Sequence, residues 1–387
     1  MTDKINSRPL ELYIHIPFCV RKCLYCDFLS APSDEAVREA YLEALIAEIK
    51  GRAPEYEDYF VTTVFVGGGT PSVMGGSQLE RLLCAVKDAY CVEEDAEITV
   101  ELNPGTVDAK KLACYRRAGV NRLSIGLQSA DDEELRTLGR IHTWEQFVST
   151  WNLAREAGFE NLNVDIMSAL PGQSPEKYRT TLNKVLGLNT PPEHISAYSL
   201  IVEEGTPFYA MHERGELELP DEETDRELYY ETKRILSENG YTRYEISNYA
   251  RKGFACRHNC GYWRRENYLG VGIGAASLVD NVRFKNGENL QKYLENPLGC
   301  REEIQALSRE EQMEEYLFLG LRLTEGICAE EFEKAFGETL TGIYGEVIDK
   351  NIRDGLLTWD SPAKKRLFLT ERGLDVSNYV MAQFLLS

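Results

Sequence analysis

Apolar residues gather in short β-rich runs, LYIHI, TVFVGG, EITVEL, RLSIGL, LNVDIM and HISAYSL, with longer amphipathic stretches such as EAVREAYLEALIAEIKG between them. Strand-length runs alternating with helical periodicity predict an α/β fold, a parallel sheet wrapped by helices. From about residue 308 the pattern changes to three helices, a hairpin of LLTW and RLFL around DSPAKK, and a last helix from LTERGL. The expected division is therefore a core over 1–250 and a smaller C-terminal region over 251–387, with no long repeat and no low-complexity linker.

A chain of 387 residues can bury a sizeable core. Its formal charge of −20 disfavours nonspecific attraction to nucleic acid or anionic lipid. No run of about 18 apolar residues could span a bilayer, and MTDKINSRPLELY lacks the apolar segment of a signal peptide. A cytoplasmic location is expected, where the ten cysteines stay reduced.

Three of those cysteines, Cys19, Cys23 and Cys26, stand at C-x3-C-x2-C. Soft thiolates on one short loop select an iron–sulfur or zinc site, but zinc sites usually pair such a loop with a second set of ligands, and none is evident. Three thiolates can hold three corners of a four-iron cluster and leave the fourth iron open to a ligand. Gly67, Gly68 and Gly69 follow an apolar run, where backbone without side chains can approach a ligand with its amides exposed.

The residues around the cysteines, with GGGTPS, ELNPGT, RLSIGLQS, LGRIHT, NVDIMSALPGQS, HISAYSLIVEEGTP and YEISNYA in that order, resemble radical S-adenosylmethionine (SAM) proteins. The branch resembled is that of coproporphyrinogen oxidases and HemW-type heme chaperones, and the likeness covers nearly the whole chain. It implies a partial (β/α)6 barrel with a winged-helix-like C-terminal module, functional residues lying at the strand C-termini. It also implies a [4Fe-4S] cluster on Cys19, Cys23 and Cys26 and an electron donor for that cluster. The SAM contacts implied are Tyr13, Tyr25, Gly68, Gly69, Thr70, Glu101, Gln128, Arg140 and Asp165. Taken singly, Asp165 reads equally well as a structural hydrogen bonder and Arg140 as a surface ion pair.

His258, Asn259, Cys260, Gly261, Tyr262 and Trp263 form H-N-x-x-Y-W. A lone histidine is more often structural than a ligand, but this motif resembles the one that marks HemW-type chaperones, which implies His258 as a heme ligand. Cys256 and Cys260 are the minority alternative. Arg251, Lys252, Arg257, Arg264 and Arg265 lie here with no acidic residue between Arg251 and Arg265, a patch suited to heme propionates or to the protein's own acidic surface. His15, His142 and His194 carry no assigned role, and His212 is expected on the surface.

The resemblance implies delivery of heme to apo-hemoproteins, respiratory enzymes among the candidates. The alternative is an oxygen-independent coproporphyrinogen III oxidase. Against it, Phe28 stands where those oxidases place a further cysteine, and the short stretch before Cys19 leaves no room for their N-terminal extension. The nature of any catalytic residue, and whether SAM is cleaved, stay open.

Overall fold

Alternation along the β-rich runs sorts side chains onto two faces, and the fold uses both. In the computed structural model, which describes residues 7–386, the runs become β1 (Arg8–Ile16), β2 (Tyr59–Gly68), β3 (Val92–Leu102), β4 (Arg122–Gln128), β5 (Asn161–Ser168) and β6 (His194–Ser199). They pair in chain order and every pair is parallel. One face carries Leu12, Ile14, Val64, Val100, Ile125 and Val164, all buried in the main hydrophobic core with helix residues such as Leu42, Leu82 and Trp151. The other carries Glu11, His15, Thr63, Glu97, Arg122, Asn163 and His194, also buried but polar. Apolar positions thus fix the sheet against its helices, while polar ones line the concave interior.

The six-stranded core does not close on itself. On one side β7 (Thr242–Arg243) and β8 (Asn248–Ala250) add to β6, with β8 antiparallel to it. On the other, β9 (Tyr268–Val271) runs parallel to β1 and leads to β10 (Ala276–Val279), β11 (Val282–Asn286) and β12 (Arg301–Ala306), giving twelve strands in one sheet. The expected boundary at 250 is thereby displaced. Leu269, Val271, Phe284 and Tyr293 join the main core, and a separate core begins only with Met313. Short strands with little apolar content, such as Arg301–Ala306, give no strong periodic signal, so this extension was not legible.

The C-terminal module has the expected helices Arg309–Gly320, Ala329–Phe336 and Leu340–Arg353, then the hairpin β14 (Leu357–Trp359) and β15 (Arg366–Leu369). A two-residue strand, β13 (Ile327–Cys328), also pairs with β15, too short to carry a period in the sequence. The module meets the barrel at Tyr244–Glu245: Thr324 N donates to Tyr244 O at 3.0 Å, and Glu245 forms a bridge with Leu323. Among the described residues no helix is long and apolar enough to cross a membrane. The N-terminal run read for a signal peptide begins in residues 1–6, outside the described residues.

Candidate functional site

The loop after β1 is tied at both ends, since Cys19 N donates to Ala31 O at 3.1 Å and Ala31 N to Pro17 O at 3.0 Å. It holds Cys19, Cys23 and Cys26 half-buried at the rim of a cleft of about 320 Å³ at the strand C-termini. Tyr25, Gly68, Gly69, Thr70, Glu101, Gln128, Arg140 and Asp165 line the same cleft. Residues far apart in the chain converge because each lies at or just beyond the end of a neighbouring parallel strand.

Close packing explains the glycines more directly than ligand approach does. A Cβ on Gly69 would stand 2.7 Å from Phe18 O, one on Gly67 2.9 Å from the Phe65 ring, and Gly68 has φ +111° against the His15 ring. Their amides are engaged as well. Gly68 N donates to Glu101 Oε2 at 3.1 Å, Gly69 N to Ile16 O at 2.9 Å and Thr70 N to Phe18 O at 2.8 Å. The expectation of ligand-facing amides is corrected: this loop locks the cysteine loop to β2 and presents the Thr70 hydroxyl, 3.3 Å from Cys19 Sγ.

Arg140 lines this cleft and forms no surface ion pair among the described residues. It reaches Asn103 Oδ1 at 2.6 Å and Gly126 O at 2.5 Å, with Nη1 3.6 Å from Cys23 Sγ. Gln128 ends β4 with φ 72°, a conformation uncommon for a non-glycine residue, and its Oε1 accepts from Tyr198 OH at 3.0 Å. Burial pushes the Glu101 carboxyl up to about 8, and the nearby Asp165 charge adds to the rise. Burial also raises Asp165, opposed by hydrogen bonds from Asn163 and Ser196 and by Arg122. Two half-buried carboxyls beside the half-buried Arg140 guanidinium make a pocket that favours a ligand carrying both a cation and a carboxylate. Tyr13 is set back from the cleft, its hydroxyl 3.0 Å from His15 Nδ1.

The donor set fits the groups implied by the motifs. Three half-buried thiols on one tied loop at the rim of the cleft can take three separate corners of a four-iron cube. Cys19, Cys23 and Cys26 would hold such a cluster, and Glu101, Asp165, Gln128 and Arg140 would hold SAM beside it. When bound, the two supply one-electron chemistry, and the chain supplies binding and orientation. Asn103, Ser196, Tyr198 and Asn248 line the cleft without having been singled out. Each falls inside a motif already quoted, and the alternation from His194 places Ser196 and Tyr198 on its face.

His258 lies elsewhere. The helix Arg257–Trp263 plugs the concave interior from the side opposite the cysteines' rim, and His258 is 1% exposed. Its Nδ1 is 2.6 Å from Thr63 Oγ1 and its Nε2 2.9 Å from Tyr262 OH, while Phe65 stacks on the ring at 5.1 Å. Burial lowers its pKa to about 3, so the imidazole is neutral and both nitrogens are used. A Cβ at Gly261 would collide with the Glu11 carboxylate, which accounts for that glycine. The expected heme ligand is therefore a buried anchor. Cys256 is fully buried, and burial pushes the Cys260 thiol up to about 12, so neither offers a ready thiolate.

The cationic patch is also mostly spent on the protein itself. Arg264 pairs with Glu325, Arg265 with Glu315, and Arg257 with Asp95 and Glu93. Arg251 stacks on Tyr241. His15 bonds Leu29 O, His142 Leu127 O, and His194 both Asn163 and Tyr244, all structural positions, and His212 is exposed as expected.

A model described as the Radical SAM superfamily matches residues 13–185, and one described as the HemN C-terminal domain matches 307–376. The chain is 38% identical to the heme chaperone HemW of Lactococcus lactis subsp. lactis (strain IL1403), covering 98% of each chain. It is 36% identical to HemW of Escherichia coli (strain K12), over 94% of this chain and 97% of that one. Among solved structures, coproporphyrinogen III oxidase (HemN) from Escherichia coli superposes with a TM-score of 0.85 at 25% identity, over 99% of this chain and 91% of that one. Identity at that level along the full length, with the cysteine loop and its cleft assembled at the strand ends, places this chain in the HemW family of radical SAM proteins.

Proposed function

We propose that this chain is a heme chaperone, binding heme and passing it to apo-hemoproteins while carrying a [4Fe-4S] cluster and SAM in the strand-end cleft. The observation that carries the reading is the full-length similarity to proteins named for that activity. Phe28, at the position of the oxidases' additional cysteine, supports it: the ring is 68% exposed at the rim of the cleft and offers no thiol. The cluster is held by Cys19, Cys23 and Cys26, and SAM by the residues around Glu101 and Asp165. Respiratory enzymes are candidate acceptors, and the cytoplasm is the proposed location.

The oxidase reading keeps one specific support, the extensive fold similarity to HemN. Anaerobically reconstituted protein with SAM and a reductant separates the two. The chaperone gives a heme complex that activates an added apo-hemoprotein and leaves coproporphyrinogen III unchanged. Decarboxylated porphyrinogen without heme uptake reverses the assignment.

A further inference from the structure

With His258 buried, a heme chaperone needs another place for the macrocycle, and a second cleft has the right chemistry. It lies between β6, the helix Glu222–Glu238 and the C-terminal module, has a volume of about 500 Å³, and shares Tyr198 with the cysteine-bearing cleft. Pockets for cofactors usually fall between about 300 and 1,000 Å³. Its walls include Tyr229, Tyr249, Ile246 and Leu374, with Ile201 67% exposed at the mouth. Aromatic and aliphatic walls suit a flat, largely apolar ring.

Two cations complete it. Arg322 lines the cleft, its Nε is buried without a hydrogen bond, and its nearest carboxylate, Glu245, is 4.0 Å away. Burial even lowers its pKa, which is the mark of a guanidinium short of an anion. Arg226 also lines the cleft, exposed at its edge, and makes no ion pair among the described residues. Of the acids there, Asp225 accepts from the Ser199 hydroxyl at 2.7 Å and Asp375 accepts from Tyr230 OH, while Glu222 sits at the exposed start of its helix. Arg322 is held in place by stacking on the Trp263 ring at 4.3 Å. The tryptophan of H-N-x-x-Y-W thus reaches the cleft through this arginine.

Resting on the chaperone reading, we propose that this second cleft binds heme by its ring faces and propionates, with Arg322 and Arg226 as the carboxylate partners and Trp263 as the residue that positions Arg322. Among the described residues, none of those lining the cleft is a His, Cys or Met, so the protein supplies no imidazole, thiolate or thioether to the iron from this lining. A site that leaves the iron to its acceptor is suited to release.

The full chain is titrated with heme and, separately, with metal-free protoporphyrin IX. Both bind with similar affinity, because the carboxylates and the ring are what the cleft holds. Arg322→Gln weakens both by roughly 10- to 100-fold, the loss expected for one charged hydrogen-bonding partner. Ile201→Asp, at an exposed position that does not burden folding, weakens both as well. Cys328→Ser, outside the cleft, changes neither. If wild type takes up heme while Arg322→Gln, shown folded by circular dichroism, and Ile201→Asp bind it as wild type does, the site lies elsewhere and the chaperone reading stands. Heme binding without any protoporphyrin binding overturns the ligand-free iron. No heme uptake by wild type overturns the chaperone reading itself.

Discussion

Two short motifs stand out in this sequence, the cysteine loop and H-N-x-x-Y-W, and the fold puts them to opposite uses. The cysteine loop ends half-exposed at the rim of a cleft, with Gly69 and Thr70 stitched beneath it. The helix Arg257–Trp263 ends inside the barrel, its histidine closed off by Thr63, Tyr262 and Phe65. A reactive residue type at a marked spacing therefore announces constraint, and only burial and partners tell whether the constraint comes from a ligand or from the fold. The half-buried thiols face space that a ligand can fill. The imidazole faces groups that already fill it.

Substitution of the thiols is the largest test of that contrast. Cys19→Ala, Cys23→Ala or Cys26→Ala should remove essentially all iron from anaerobically purified protein while the far-ultraviolet circular dichroism stays that of a folded barrel. Iron retained in full by any one of the three would falsify the cluster assignment. The exposed Cys84 is the control, and its replacement by Ser should leave iron unchanged.

His258→Ala should act on stability instead. It strands two hydroxyls, removes a ring stacked on Phe65 and leaves a cavity, and such changes cost about 2–5 kcal/mol in denaturant melts. The sign of the pH dependence distinguishes it further. The folded-state pKa is about 3 against 6.5 for the free side chain, so the unfolded chain binds the additional proton below pH 6.5. The stabilising contribution is fully present above 6.5 and is lost as pH falls toward 3, by up to about 1.4 kcal/mol per unit. The gap between wild type and His258→Ala should accordingly narrow on acidification. A gap independent of pH would mean that the ring is not held neutral.

Within the cleft, Asp165→Ala should weaken SAM binding by about 1.5–3 kcal/mol, one to two decades, with the iron content unchanged. Isothermal titration indistinguishable from wild type would leave Asp165 as a purely structural partner of Asn163, which donates to it at 2.7 Å.

How much was legible follows from which physical signal each feature carries. Strand alternation gave β1 to β6, and motif order gave the cleft residues Glu101, Gln128 and Asp165, because both signals repeat or are local. The pairing of β9 with β1 was not legible, since four residues of YLGV carry no period and nothing local reveals a partner more than 250 positions earlier. The burial of His258 was hidden for a related reason. Its partner Thr63 and neighbours Glu11 and Glu97 sit on strands whose alternation marks them only as polar, and a polar position reads as solvent-facing until the sheet curls and a helix caps the interior.

The smallest expected effect bears on the patch beside the plug. Arg264 and Glu325 pair at 2.9 Å with side chains 51% and 45% exposed, a geometry in which salt and water screen most of the attraction. Exposed pairs contribute about 0–1 kcal/mol, so Arg264→Gln should change stability by no more than that. It should also leave heme affinity within about twofold, because the guanidinium is already matched and lies outside the second cleft, whereas Arg322 is half-buried and under-matched within it. A tenfold loss of heme on Arg264→Gln would mean that the ligand breaks the Glu325 pair on binding, and would move the propionates from the Arg322 cleft to the motif helix. Local charge of one sign then decides nothing alone: the cation that a ligand can use is the one its own protein has matched least well.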